Sequence, residues 1–387
     1  MLIDGDRHLE WVEKRWSEEK ALRIIDDIFE KTTAAFDPET FWPAHKDEAC
    51  DIPCNKSLYF GATGTLLGLD EISRFRKTKA PFSINSVIDK VLEEYRRAPD
   101  TEEIVPSYFL GETGILLFHF KFSKSQEVAD TLFLKIKENI NNPVNEVLWG
   151  CPGTMLAALY MFRWTQEGRW RELFIENVDY LFEKWHLNDN GQWVWTQDLY
   201  NKVRQIVGAE HGFFGNVYPL LQGFDLLDSK RQQLLLERIA DTTIKSAKVE
   251  GDLANWPVLF EGNDERVMVQ WCHGSPGVIT SLGGYSKNAS AALESLLLKG
   301  GELIWKAGPL KKGVSICHGT DGNGYAFLKL YRRTGEVQWL NRARAFAMHA
   351  IENRSDRYTL WTGDVGLACY LISCIEKTDK LPGLDFI

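Results

Sequence analysis

Apolar residues along this chain fall into two alternating kinds of segment. In one kind they run nearly unbroken. Ile115-Leu116-Leu117-Phe118, Met155-Leu156-Ala157-Ala158-Leu159-Tyr160-Met161, Tyr325-Ala326-Phe327-Leu328 and Leu367-Ala368-Cys369-Tyr370-Leu371-Ile372 are examples. In the other kind they return at the 3.6-residue period with charges opposite. Ile84, Val87, Ile88, Val91, Leu92 and Tyr95 do so, and Leu173, Phe174, Leu181, Phe182 and Trp185 repeat the pattern. The first pattern predicts helices buried on every side, the second helices with one wet face. Val12 with Trp16, then Leu22, Ile25 and Phe29, predict helix ahead of this alternation, and Gln192-Trp193-Val194-Trp195-Thr196 is the best candidate for a short extended piece.

Each unbroken run follows a Gly-x-x-Gly step, and the step recurs seven times. The pairs are Gly61/Gly64, Gly111/Gly114, Gly150/Gly153, Gly212/Gly215, Gly274/Gly277, Gly319/Gly322 and Gly363/Gly366, with first glycines 39 to 62 residues apart. That interval is the length of two helices and their turns, so the period announces a repeat architecture. Buried helices alternating with one-faced helices predict an inner ring wrapped by an outer one. The expected fold is all-α, an (α/α)7 toroid or double ring of seven helical hairpins. Residues 1–56 form a helical extension packed on the ring, and residues 57–387 the single toroid domain.

Composition narrows the function. With 44% apolar residues, 14 Trp and 21 Phe among 387, the chain has ample material for one large core. A net charge of −9 argues against a general nucleic-acid binder. Arg96-Arg97 and Arg332-Arg333 read as solvated helix ends rather than a membrane tether. No apolar stretch reaches membrane-spanning length, so no transmembrane segment is expected. The first residues carry no signal pattern, so the expected location is cytoplasmic. The 7 cysteines are an odd count, which favours reduced thiols, some of them metal ligands, over a disulfide framework.

The chemistry appears where three consecutive repeats break the pattern. The two residues before the first glycine are Tyr59-Phe60, Phe109-Leu110, Leu148-Trp149 and Trp361-Thr362 in repeats one, two, three and seven. In repeats four, five and six they are Glu210-His211, Cys272-His273 and Cys317-His318. In a closed ring equivalent positions face the same end, so these six side chains converge at one mouth. Two Cys and a His are a zinc constellation, and two imidazoles, His273 and His318, compete to complete it. Three protein ligands leave the open fourth position of a catalytic site, whereas four close a structural one. Tyr59, Trp149 and Trp361 are expected to pack at the mouth. Cys50 and Cys54, with Pro53 between them, are not expected as ligands. Nor are Cys151, a thiol at the mouth, or Cys369 and Cys374 in the last inner helix.

At Trp271-Cys272-His273-Gly274-Ser275-Pro276-Gly277 and Ile316-Cys317-His318-Gly319-Thr320-Asp321-Gly322-Asn323 the chain resembles the lanthionine synthetase C-like (LanC-like) family. The resemblance runs from about Ser57 to Ile387 and is strongest after Gly208. Gly208-Ala209-Glu210-His211-Gly212 resembles the third signature of that family, with Glu210 where Ala is usual. The resemblance implies a toroid of the six-hairpin-glycosidase and terpenoid-cyclase kind. It implies zinc held by Cys272, Cys317 and His318, with solvent or a thiol in fourth place. His211 is then the acid/base residue. Glu146 falls where the peptide cyclases of the family carry an active-site Asp; the alternative is an acid at a helix start, favoured by the dipole. Lys311-Lys312-Gly313, His273, the tail Leu384-Asp385-Phe386-Ile387, and Met268 in place of the cyclases' Arg resemble the stand-alone glutathione-binding branch. Lys312 then meets a glutathione carboxylate, against the alternative of an exposed loop lysine.

The function so implied is zinc-dependent activation of a thiol, from glutathione or a peptide Cys. The thiol adds to dehydroalanine or dehydrobutyrine in a peptide or protein and forms a thioether, with His211 or His273 protonating the α-carbon. The chain has no room for a dehydratase, so an upstream kinase or dehydratase has to make the electrophile. The rival readings are a non-catalytic zinc-containing glutathione- or peptide-binding or signalling protein, a carbohydrate-processing toroid using carboxylates such as Glu112 and Asp364, and a purely structural zinc scaffold.

Overall fold

The computed structural model describes residues 2–48, 54–262 and 266–387. Cys50 and Pro53 lie outside the described residues. Helix α1 (Glu18–Ala34) comes first, and pairs follow it. They are α2 (Ala62–Arg76) with α3 (Ile84–Arg97), α4 (Glu112–Ser123) with α5 (Gln126–Asn139), and α6 (Cys151–Thr165) with α7 (Gly168–Lys184). Next are α8 (Phe213–Gln222) with α9 (Ser229–Ser246), α10 (Ser275–Ser281) with α11 (Ala291–Ala307), and α12 (Thr320–Thr334) with α13 (Val337–Glu352). Helix α14 (Asp364–Glu376) ends the series.

The two hydrophobic patterns sort these helices into two rings. In α6 every residue from Cys151 to Met161 is buried, and in α14 every residue from Asp364 to Cys374. Helix α3 buries only Val87, Ile88, Val91, Leu92 and Tyr95. The inner helices touch in the cyclic order α2, α4, α6, α8, α10, α12, α14 and back to α2, which closes an α/α toroid. Most outer helices begin on a polar N-cap (Ser83, Ser125, Asp228 and Ser290), whose side chain accepts an orphan backbone N–H. The inner helices begin on glycine instead. The seventh outer place is filled from outside the repeats: α1 packs on α14 and touches α13 and α2. Residues ahead of the first Gly-x-x-Gly step thereby complete the outer ring.

The second glycine of each step has a steric cause. A Cβ at Gly322 would stand 2.0 Å from the carbonyl oxygen of Ile316 and 2.8 Å from Cβ of Trp271 in the preceding repeat. The same relation recurs at every second glycine, each facing the repeat before it. Gly64, in repeat one, faces Leu360 of repeat seven at 3.1 Å. Seven close approaches of this kind set the tightness of the ring.

Among the described residues three short antiparallel ribbons decorate the toroid: β1 (His186–Leu187) with β2 (Trp193–Val194), β3 (Gln197–Leu199) with β4 (Lys202–Arg204), and β5 (Lys248–Glu250) with β6 (Leu253–Asn255). Only β2 falls in the segment expected to be extended. The β3–β4 ribbon pairs Leu199 with Lys202 across a two-residue turn, Tyr200-Asn201, with both φ angles left-handed at 53° and 58°. That is the backbone which matches strand twist in a tight hairpin.

The last residues fill the lumen. Tyr108 and Tyr160 donate to the carbonyls of Gly383 and Leu384 at 2.8 and 2.7 Å. Asp385 accepts from Tyr218 at 2.7 Å and from the buried ammonium of Lys329 at 2.8 Å. Arg333 corrects the expectation of a solvated helix end: its side chain is buried, pairs with Glu294 and donates to the carbonyl of Tyr285. Among the described residues no helix is long and apolar enough to cross a membrane.

Candidate functional site

The pre-glycine segments of neighbouring repeats are stitched together through their backbones. Ala209 N–H donates to the Cys272 carbonyl at 3.1 Å, Cys272 N–H to the Cys317 carbonyl at 3.0 Å, and Cys317 N–H to the Trp361 carbonyl at 3.2 Å. The chain reaches this arrangement in repeat five only with glycine. Gly274 has φ of +103°, and a Cβ there would meet the Met268 carbonyl oxygen at 2.1 Å. The other first glycines have ordinary extended backbone. Gly208 is equally constrained, since a Cβ on it would stand 2.6 Å from Nδ1 of His273.

This stitching brings together residues from repeats one, four, five and six. Ligand atoms of Glu210, Cys272 and His273 lie within 4.8 Å of one another. The Cys317 thiol donates to Glu210 Oε1 at 3.2 Å, and Tyr59 OH donates to the same oxygen at 3.1 Å. Cys272 Sγ accepts from Gln270 Nε2 at 2.8 Å. Burial pushes the Cys317 thiol well up, and the neighbouring Cys272, to which it also hydrogen-bonds, adds to the shift. Burial alone would raise Glu210 as well. The nearby His211 and His273, with the hydrogen bonds from Cys317 and Tyr59, hold its carboxyl below the usual range. Aromatic rings close the centre from below: Trp361 packs on Trp271 at 4.7 Å and on Tyr59 at 5.9 Å.

His211 sits between two carboxylates, its Nδ1 3.1 Å from Glu146 and its Nε2 3.6 Å from Glu210. Burial works against the imidazolium, but Glu210 and Glu146 outweigh it and raise the pKa to about 9. Glu146 bonds the turn ahead of α6 rather than the first turn of that helix. It is fully buried, accepts the N–H groups of Leu148 and Trp149 at 2.8 Å each in the turn before α6, and holds His211.

His318 lies outside the Glu210–Cys272–His273 group. Burial, then the charge of Lys312, with Arg357 as a further cation, lower its imidazole to about 4 against the pull of Glu210, so the ring is neutral near pH 7. Lys312 is exposed. Arg7 joins this side. Its guanidinium donates to Gln270 Oε1 at 3.1 Å, and Gln270 in turn donates to Cys272 Sγ. Backbone bonds from Lys311 to Arg7 (3.0 Å) and from Leu9 to Pro309 (2.8 Å) pin the N-terminal segment against the loop before Cys317.

Sequence reasoning missed Arg7, Gln270 and Arg357, and favoured packing over substrate contact for Tyr59. Nothing in their local pattern marks them, because Arg7 and Gln270 meet across 263 residues. The remaining described cysteines (Cys54, Cys151, Cys369 and Cys374) are buried and free. The carboxylates considered for sugar chemistry are engaged elsewhere: Glu112 with Arg96 and Lys135, and Asp364 with Arg354 and Ser355. Two thiols and neutral imidazole at one rim suit a borderline-soft divalent ion better than a hard one.

The profile of the family described as "Lanthionine synthetase C-like protein" matches residues 52–386. The chain belongs to the LanC-like family. Among curated relatives of this LanC-like chain is "Glutathione S-transferase LANCL1" of Danio rerio. It is 28% identical over 299 residues, covering 70% of this chain and 71% of that one. "LanC-like protein GCL1" of Arabidopsis thaliana is 34% identical over 194 residues, which is 46% of this chain and 43% of that one. Among solved structures, "Nisin cyclase" superposes with a TM-score of 0.62 at 16% identity over 94% of each chain, a likeness of fold.

Proposed function

We propose that this LanC-like protein is an enzyme that joins a thiol to an electrophilic carbon, forming a thioether. In this reading zinc is bound by Cys272, Cys317 and an imidazole, for which His318 is the proposed ligand. The reading rests on one observation above all: two thiols from consecutive repeats share a rim with a carboxylate and with an imidazole held between two carboxylates. The relative named as a glutathione S-transferase supports a glutathione-related role.

Bound zinc supplies positive charge that keeps a thiol in its thiolate form at neutral pH. The chain's own residues supply the rest. Lys312, Arg357 and Arg7 form a cationic side suited to a thiol that carries carboxylates, as glutathione does. The sulfur adds to the β-carbon of dehydroalanine or dehydrobutyrine. The π pair of that double bond moves toward the adjacent carbonyl, and His211 delivers a proton to the α-carbon. An imidazolium with a pKa near 9 carries that proton throughout the neutral range. Glu146 fixes the ring through Nδ1, leaving Nε2 as the donor. His273 is the alternative donor, and Glu210 sets the charge between thiols and acid.

The test is direct. Zinc-loaded protein, glutathione and a dehydroalanine peptide are incubated, and the thioether adduct is sought by mass spectrometry. Catalysed adduct above the buffer rate supports the reading. Stoichiometric glutathione binding without turnover would establish the non-catalytic sensor instead.

A further inference from the structure

The turn that carries Cys272 is pinned by side chains remote in sequence. Asn255, buried at the end of β6, donates through Nδ2 to the Met268 carbonyl at 3.1 Å. Its Oδ1 accepts from the N–H and the hydroxyl of Ser275 at 3.0 Å each. Asn323 Nδ2 donates to the Val269 carbonyl at 2.8 Å, and within the turn Gln270 and His273 exchange two backbone bonds of 3.1 Å. The backbone on both sides of Cys272 is thereby fixed. None of these bonds reaches its sulfur.

The sulfur takes its N–H donor from Gln270, whose Nε2 lies 2.8 Å from Sγ and whose side chain is buried. Proximity in the chain brings Gln270 near Cys272 in any case; the orientation of its amide needs a further cause. An amide presents either a donor or an acceptor, and its oxygen has nothing to offer a thiolate. Arg7, 263 residues away, decides between the two. A guanidinium only donates, and it claims Gln270 Oε1 at 3.1 Å, which turns the N–H end toward the sulfur. The segment that carries Arg7 is itself held down on both sides. The Leu2 carbonyl accepts from Asn255 Nδ2 at 3.1 Å, and His8 Nδ1 donates to the Gly308 carbonyl at 2.9 Å.

We infer that Gln270 is a positioning residue for the proposed metal ligand Cys272, and that Arg7 sets the direction of its amide. The inference rests on the proposed zinc site, because a sulfur bound to a cation carries charge and accepts a stronger hydrogen bond than a neutral thiol. Outer partners of this kind are worth about 10–100-fold in metal affinity. The N-terminal segment thereby acts on the metal centre itself, before any thiol substrate arrives.

Metal-free wild type, Gln270→Leu, Arg7→Met and the double variant Q270L/R7M are titrated without glutathione. Cobalt(II) reports the sulfur through its charge-transfer absorption, and competition with a chromophoric chelator gives zinc affinity. Q270L is expected to bind zinc at least about tenfold more weakly. Its cobalt band is expected at longer wavelength, since a sulfur that has lost an N–H donor gives up an electron more readily. R7M is expected to move both readouts the same way by less. The double variant should match Q270L, because Arg7 acts through Gln270. Circular dichroism of the metal-free proteins checks the fold. R7M changes only a half-buried residue of the N-terminal segment, and it carries the test if Q270L does not fold. Wild-type affinity and an unmoved band in Q270L, or in R7M where R7M carries the test, overturn the inference and leave the zinc site standing. Additive losses in the double variant overturn the orienting role of Arg7. A wild type that takes up neither cobalt nor zinc fails the zinc reading itself, and the inference falls with it.

Discussion

The amide nitrogen of Cys272 lies 3.0 Å from the carbonyl oxygen of Cys317. This bond sets the two thiol-bearing residues side by side through the backbone, before any ion is considered. The ring packs on glycine contacts and aromatic rings rather than on the thiols. Chelation is therefore expected to leave the far-UV circular dichroism unchanged while abolishing thiol addition, and added zinc restores it. Cys317→Ala is expected to lose zinc and at least about 100-fold in activity, since even outer partners of a metal ligand cost 10–100-fold. Zinc counts by mass spectrometry on His318→Ala and His273→Ala separate the two imidazoles. Loss in the first and retention in the second is the expected outcome. A zinc-free wild type with full activity would end the metal proposal.

The second prediction concerns pH. His211 acts as a proton donor, so activity requires its imidazolium. That form is complete well below about 9 and is lost as pH rises through that value. The alkaline limb of kcat is thus expected near pH 9. Glu146→Gln removes one of the carboxylates that raise His211, so the limb moves to lower pH. Glu210→Ala removes the other carboxylate and is likewise expected to move it to lower pH. His211→Ala keeps zinc and loses the limb together with most of kcat. An alkaline limb that stays in place in both carboxylate variants excludes His211 as the titrating donor.

A third prediction tests the ring itself. Gly322→Ala places a methyl 2.0 Å from the Ile316 carbonyl oxygen and 2.8 Å from Trp271 Cβ. Neither neighbour can yield without moving the residues next to Cys272 and Cys317. The expected cost is about 1–3 kcal/mol in urea unfolding, as for other overpacked sites, with weaker zinc binding besides. Gly168 starts α7 with nothing within 4 Å of a Cβ. Gly168→Ala is the control, expected to stabilise by about 0.4–1 kcal/mol. Equal effects of the two substitutions would remove close approach as the reason for the second glycine.

What the sequence made legible follows from these contacts. The second glycines recur because each inner helix must touch the repeat before it, so the toroid and its order were readable from one chain. Cys272 and Cys317 stood out because they occupy equivalent positions in a repeat. The ribbons were mostly invisible, because strands of two or three residues leave no periodicity to detect. Arg7, Gln270 and Arg357 were invisible for another reason: the N-terminal segment reaches the site by backbone bonds to Pro309 and Lys311 that no local pattern encodes. Glu210 was legible as a departure from the family pattern, but its role was not. Only the folded ring sets it against Cys317, Tyr59 and His211 at once. Arg333 misled because two adjacent arginines at a helix end look solvated, whereas the turn after α10 buries one of them.

The last prediction concerns the tail inside the ring. Lys329 is a cation in the core, with a side chain only 7% exposed, and Asp385 holds it at 2.8 Å while also accepting from Tyr218 and from the Leu381 amide. Asp379, the other carboxylate near it, is farther at 3.3 Å and more exposed. Removing one partner of a buried pair leaves an uncompensated charge, which costs about 3–5 kcal/mol where no second partner exists. With Asp379 still present, Asp385→Ala is expected at the lower end, about 3 kcal/mol. Lys329→Met removes the charge that needs the partner, so the double variant D385A/K329M is expected to recover part of the loss. The double-mutant cycle then gives a coupling of about 0.5–3 kcal/mol between the two sites. Limited proteolysis reads the same event locally, as faster cleavage after Lys380 in D385A than in the wild type or the double variant. Additive losses, with no change in cleavage, would mean that the Lys329–Asp385 pair does not hold the tail in the lumen and that the tyrosine contacts alone do so.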